Sequence, residues 1–291
     1  MIAVRKANRW QSLLPGVVAL MLMPGGWVGG EYGGEYAQGS SVLLQVRPGA
    51  GDTIRVRLDQ TVEMTGPAGA DGKQVVESGT LVLLATLAVE SVDDDGATIV
   101  SVTDSLRVNS PPNSASSAVL AWAAVAANRA VRFRVAPNGA AYVPTGRGRS
   151  APSTAVASHM PATLPSRAIA PGTSWNSVVQ VPLASSVDPK GTATLVATFT
   201  FDSLSRSGEL AFLSLRGRLT KADPDAATST DARNLVETSG IVEGQVMLDR
   251  RRGWITDART TFSLLSLVTP GDPTKPTVRV KMTISQWLRA M

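Results

Sequence analysis

Three aspartates in a row, Asp93, Asp94 and Asp95, stand directly before Gly96. A calcium loop of the EF-hand type needs oxygen ligands at its first, third and fifth positions and a glutamate at its twelfth. With Gly96 as the sixth position, the first is Ser91 and the twelfth is Val102. The frame fails, and the run suits the tip of a hairpin. The one histidine, His159, lies in a proline-rich stretch, a poor support for the rigid imidazole of a Ser-His-Asp triad. No G-x-S-x-G elbow accompanies it. Glu90, Asp202, Glu209, Glu243, Asp249 and Asp257 fall in segments expected to be strands, and paired carboxylates there could serve a glycosidase-like site. Carboxylates on strands ordinarily just face water, so the chain is expected to have no catalytic residues. The glycines from 25 to 34 follow an apolar run and have no strand before or helix after them, so they form no phosphate loop.

The composition narrows the chemistry further. The chain has 291 residues and no cysteine, which removes disulfides, thiolate metal sites and a lipoprotein anchor. One histidine without cysteine cannot build the usual zinc sites, and no metal or cofactor is expected. The formal charge is +5, but Arg5, Lys6 and Arg9 belong to the first thirty residues, which hold no acid. Beyond them, 25 basic residues stand against 23 acidic ones, a balance of +2. That near-neutrality argues against a nucleic-acid partner, which requires a concentrated basic face. The pairs Arg55/Arg57 and Arg132/Arg134 have the spacing that puts both side chains on one wet face of a strand.

Arg5, Lys6 and Arg9 precede the apolar stretch Leu13 to Met23, closed by Pro24-Gly25-Gly26. About eleven apolar residues are too few to cross a bilayer core of about 30 Å. Residues 1–30 therefore read as a secretory signal peptide, with cleavage near Val28-Gly29-Gly30 or Ala37, no stable membrane anchor afterwards, and a periplasmic or secreted destination.

The elements are β-strands. Between Ile54 and Met64 the residues Ile54, Val56, Leu58, Val62 and Met64 share one face, with Gln60 the exception, while Arg55, Arg57, Asp59, Thr61 and Glu63 share the other. Leu81, Leu83, Ala85, Leu87 and Val89 form a second apolar row, and Leu195, Ala197, Phe199 and Phe201 form a third. The last two rows run into the turns Asp93–Gly96 and Ser205–Gly208, which predicts two long hairpins. Ala85–Val92 aligns on Ala197–Leu204 at an offset of 112, and Gly96 meets Gly208 at the same offset. A near-constant offset suggests an internal duplication. The expected organisation is a first β repeat over 40–143, a Pro-rich linker over 144–171 and a second β repeat over 172–291. Ser116–Asn128 is alanine-rich and free of glycine and proline, which predicts a helix covering the sheet, and Asp225–Glu237 suggests a weaker one.

The fold class is thus mainly β: two similar antiparallel sheets or half-barrels with one or two short covering helices. The segment LPSRAIAPGTSWNSVVQVPL (164–183), followed by a hairpin and by VMLDRRRGWITDA (246–258), resembles uncharacterised exported bacterial β proteins, which implies export and a β fold. More faintly, the strand-turn-strand pattern from Asp249 to Ile255 is similar to the periplasmic lipoprotein-carrier group, whose half-open barrel cradles acyl chains under helical lids. Trp122 on the expected helix, with Leu83, Leu87, Phe199 and Phe201, would line such an apolar groove; their bland alternative is a filled core. The expectation is an exported, non-enzymatic envelope protein that binds an apolar ligand or a protein partner. A structural or assembly module with a filled core is the alternative, and a hydrolase the third.

Overall fold

The computed structural model describes residues 41–68, 73–109, 130–145, 149–152, 164–182, 192–221, 234–270, 274 and 276–291. The described residues form twelve strands: β1 (Thr53–Ala68), β2 (Lys73–Asp93), β3 (Gly96–Asn109), β4 (Ala130–Val135), β5 (Ala141–Thr145), β6 (Arg149–Pro152), β7 (Ser174–Pro182), β8 (Thr192–Leu204), β9 (Leu210–Lys221), β10 (Asn234–Asp249), β11 (Trp254–Pro270) and β12 (Val278–Ala290). They form one antiparallel sheet in the order β6-β5-β4-β3-β2-β1-β12-β11-β10-β9-β8-β7. The expected two sheets are therefore a single one. The first and last strands are neighbours at its middle, where Val56 pairs with Ala290 and Thr65 with Lys281.

Strict alternation makes these strands. In β1, Val56, Leu58, Val62 and Met64 point inward, and Gln60, the odd member of that row, is buried with them. It lies opposite Gln286 of β12, whose Nε2 donates to Gln60 Oε1 at 3.0 Å. An amide that breaks an apolar row is thus matched by an amide on the next strand, which offsets the cost of removing both from water. The outward faces carry charge: Arg55, Asp59 and Glu63 on β1, Arg279, Lys281 and Arg289 on β12. Both predicted hairpins form, β2 with β3 and β8 with β9. Each has a register shift, between Val89 and Ser91 in one and between Phe201 and Ser203 in the other, at the same separation of 112 as the sequence match.

A strap shows that the sheet is rolled. The amide of Val46 donates to Pro137 O at 2.8 Å, and the next amide, Arg47, donates to Gly253 O at 2.9 Å. Pro137 lies in the β4–β5 turn and Gly253 in the β10–β11 turn, six strands apart in the sheet order. A flat sheet would separate those turns by roughly 29 Å, whereas adjacent Cα atoms are about 3.8 Å apart. The sheet must curl until its two sides meet at residues 42–47. Val42 and Ile169 exchange backbone hydrogen bonds beside this point, at 2.8 and 2.9 Å, and Leu164 N reaches Asn138 O at 2.7 Å. Glycines accommodate the bend on the other side. A Cβ at inward-facing Gly240 would lie 2.4 Å from Ser263 O, and one at Gly244 2.5 Å from Arg259 O. Glycine within a strand permits this close backbone approach.

The rolled sheet buries its apolar face in two clusters. One runs from Phe133 of β4 through Leu58 and Leu83 to Phe201 of β8, with Leu44, Leu164 and Ile169 of the strap region. The other gathers Val62 and Met64 with Phe199, Phe262 and Ile284.

Helices are not among the described residues. Residues 116–128 lie outside the described set, as do 225–233, but Asn234–Glu237 are strand in β10, paired with β11 from Asn234↔Pro270 onward. Leu235 and Val236 gain a ladder partner there that an isolated short helix could not supply. The proline-rich stretch also contributes strands: Pro144 of β5 pairs with Ser150 of β6, and Pro152 with Tyr142. These are short strands at the sheet margin, where a missing N–H is tolerated. Within the described residues no pairing joins β6 to β7, so the sheet is rolled but not closed.

Candidate functional site

Four of the five residues nominated for an apolar groove face inward, and they are packed out. Leu83 is 1% exposed, Leu87 3%, Phe199 3% and Phe201 0%. Leu83, Leu87 and Phe201 belong to one cluster and Phe199 to the other. Trp122 lies outside the described residues. A different tryptophan joins this surface: Trp175 of β7 stacks on Phe199 with ring centroids 5.7 Å apart and an interplanar angle of 13°. Trp175 packs against both clusters and ties them together. No charged side chain is buried among the described residues; the buried polar groups are neutral, Gln60, Ser101, Ser177, Thr238, Thr260, Ser266 and Gln286. Thr238 and Ser266 hydrogen-bond each other at 2.9 Å, while Ser177 Oγ has no partner among the described residues.

The nominated carboxylates lie on the outside, each engaged locally. Glu90 pairs with Arg132, Glu209 with Arg251 at 3.7 Å and Glu243 with Arg216 at 3.9 Å. Asp249 Oδ1 accepts from the amides of Arg251 and Arg252 at 3.0 and 2.9 Å, capping the turn. Asp202 accepts from Ser214 Oγ at 2.9 Å, and desolvation, only partly offset by that bond, pushes its carboxyl above the ordinary range. In the aspartate run, Asp93 pairs with Arg134, which with the Asp95 amide holds the carboxyl below its usual value despite some desolvation. Among the described residues no three His, Cys, Asp or Glu side chains are placed to hold a metal ion. His159 lies outside them, as do the first forty residues.

A further side-chain cluster is assembled only by pairing between strands far apart in the chain. It sits on the outer face where β1, β12 and β11 meet. Register places Arg57, Arg289 and Asp257 in one row and Asp59, Trp287 and Arg259 in the next. Arg57 grips Asp59 with Nε at 3.0 and 2.9 Å and Nη2 at 2.7 Å, and Arg289 Nη2 reaches the same carboxylate at 2.8 Å. Trp287 Nε1 donates to Asp257 at 2.8 Å. The guanidinium carbons of Arg289 and Arg259 lie 3.7 and 4.2 Å from the Trp287 ring centre, cation–π distances. Burial works against the charged form of Asp59, yet the hydrogen bonds and charges of Arg57 and Arg289 outweigh it and hold that carboxyl below its ordinary value. Three guanidinium groups share two carboxylates here, so the arrangement fastens the sheet's middle and leaves neither carboxylate without a cation.

No protein-family model matches the chain, and no curated protein matches it in sequence. Among solved structures it is similar to DynF from the dynemicin biosynthesis pathway of Micromonospora chersina, at 7% identity and a TM-score of 0.22, over 92% of this chain and 94% of that one. It is similar also to an outer membrane channel from Pseudomonas putida F1, at 10% identity and a TM-score of 0.24, over 91% of this chain and all of that one. Likenesses at this level bear on neither protein's function in this chain.

Proposed function

We propose that this chain is an exported, non-enzymatic module of the cell envelope that holds a protein partner on its outer surface and keeps no ligand inside. The observation that carries this reading is the occupancy of the interior. Leu83, Leu87, Phe199 and Phe201 are at most 3% exposed, so the oily space that would receive an acyl chain is filled by the protein's own side chains. The choice falls on the filled-core alternative for the interior and on the protein-partner alternative for binding.

Three further points support it. Export rests on the basic and apolar pattern of residues 1–30. The outer face suits water: a barrel crossing a bilayer would turn an apolar band outward, whereas this sheet turns out Arg57, Asp59, Glu63, Arg216 and Lys281. A hydrolase would need two carboxylates converging on one substrate, and each nominated one instead has its own cation or hydrogen-bond donor.

The test combines native mass spectrometry of the purified protein with titration of a fluorescent apolar probe, diphenylhexatriene. The expected result is a bare mass and no saturable uptake. A co-purifying lipid, or one-to-one probe binding weakened by Phe199→Ala, would overturn the reading.

A further inference from the structure

Strand β7 is an edge with nothing beside it among the described residues: β8 is its one neighbour. Natural edge strands are blunted by charges, prolines or bulges because a bare row of N–H and C=O groups invites another strand. β7 reads SWNSVVQVP, and of the strands nine residues or longer it alone contains no charged residue. Its one proline, Pro182, stands at the far end. The outer face beside it is equally uncharged, with Thr194, Val196, Thr198 and Thr200 on β8. Val178 and Val196 are register partners and are 65% and 44% exposed. The outer face at the middle of the sheet, by contrast, is crowded with Arg57, Asp59, Arg259 and Arg289.

The other edge of the same sheet cannot satisfy this one. β6 has four residues against nine, and its Pro152 has no N–H to donate.

We propose that β7 pairs antiparallel, edge to edge, with β7 of a second copy of this chain about a two-fold axis at Val178. The inference rests on the reading that the partner is a protein held outside. Self-pairing sets a strand against its own reversed sequence, so a charged residue near the axis would confront its like in the other copy. A neutral strand is the one composition that escapes this, and Val178 is the middle residue of the nine. Two rolled sheets would then continue into one another through main-chain hydrogen bonds, with the exposed valines of both copies covering each other.

The chain's lack of cysteine provides the test. Opposed Cα atoms in an antiparallel pair lie about 4.5–5.5 Å apart, within disulfide reach. Under mild oxidation Val178→Cys is expected to give a covalent dimer, while Ile241→Cys, on the exposed outer face of β10, stays monomeric on a denaturing gel. By light scattering the full chain is expected to be a dimer and Val178→Lys a monomer with unchanged circular dichroism; Val178 is exposed, so folding is not at stake. A monomeric wild-type chain, a Val178→Lys dimer, or no cross-link at position 178 would each overturn the proposal. Those results leave the ligand-free interior untouched, and a lipid found inside would sink that reading without altering the cross-linking outcome.

Discussion

Arg289 donates to Asp59 at 2.8 Å, joining residues 230 positions apart across the junction of the first and last strands. The same guanidinium lies over Trp287, which in turn donates to Asp257 on β11. One arginine thus engages two neighbours at once, on the outer face at the sheet's middle.

Asp59→Ala and Arg289→Ala should each lower unfolding free energy by about 1–2 kcal/mol, more than an isolated surface pair, because Asp59 is gripped by Arg57 as well and Arg289 also lies over Trp287. The double mutant should cost less than the sum, as expected for residues in contact. The Asp59 carboxyl is held below its ordinary value, so its contribution is present above the unfolded-state pKa and is lost as pH falls through the folded-state one. The gap between wild type and Asp59→Ala should therefore close below about pH 4. Urea titrations at neutral and acid pH read this directly; a gap of constant size would show that Asp59 acts through packing alone.

Asp202 titrates in the opposite sense. Its carboxyl is raised by desolvation, so the folded state prefers the protonated form, and that advantage fades as pH rises through the folded value. Asp202→Asn keeps an acceptor for Ser214 and should stabilise the protein at neutral pH by a few tenths of a kcal/mol, the charge being largely screened by solvent. The gain should vanish in acid, where wild-type Asp202 is itself neutral. Melting temperatures across pH decide it, and a gain that persists in acid would point elsewhere.

Gly253 has φ +61°, and a Cβ there would lie 2.2 Å from Arg47 O. Gly253→Ala should release the strap as well as strain the turn, at a cost of about 2 kcal/mol or more. Hydrogen exchange at the amides of Val46 and Arg47 should accelerate far more than at Val62, near the opposite end of the sheet. Uniform acceleration would mean that the strap is not a separate unit.

Phe201→Ala removes a ring with 0% exposure and should destabilise the protein by about 3–5 kcal/mol. Val178→Ala, on an exposed side chain, should change monomer stability by less than about 0.5 kcal/mol. Denaturant midpoints compare the two; a small loss for Phe201→Ala would mean that its side chain faces empty space.

What the sequence made legible was local. Alternation in Ile54–Met64 and the paired rows ending at Gly96 and Gly208 reveal strands and hairpins, because a period of two is written into adjacent residues. The pairing of β1 with β12 leaves no such mark: only contact across more than two hundred residues brings Gln60 opposite Gln286, although each breaks an apolar row in the same way. The strand at Asn234–Glu237 was obscured by helix-compatible residues, which the ladder with β11 overrides. Alternation explains why Leu83, Leu87, Phe199 and Phe201 share the inward face, but whether that face is hollow depends on what lies across from it. The strap does alternate, with Leu44 and Val46 buried and Leu43 and Arg47 turned out, but nothing local marks it as the link between the Pro137 and Gly253 turns.

The position of β12 has a bearing on how the molecule is made. This strand emerges from the ribosome after the other eleven, yet it occupies a central berth with a neighbour on each flank. A nascent chain short of Val278–Ala290 would be left as two wings whose strands no longer pair with each other, each with a long raw margin. Premature termination would therefore damage the middle of the wall, and a protease would meet that opening at once.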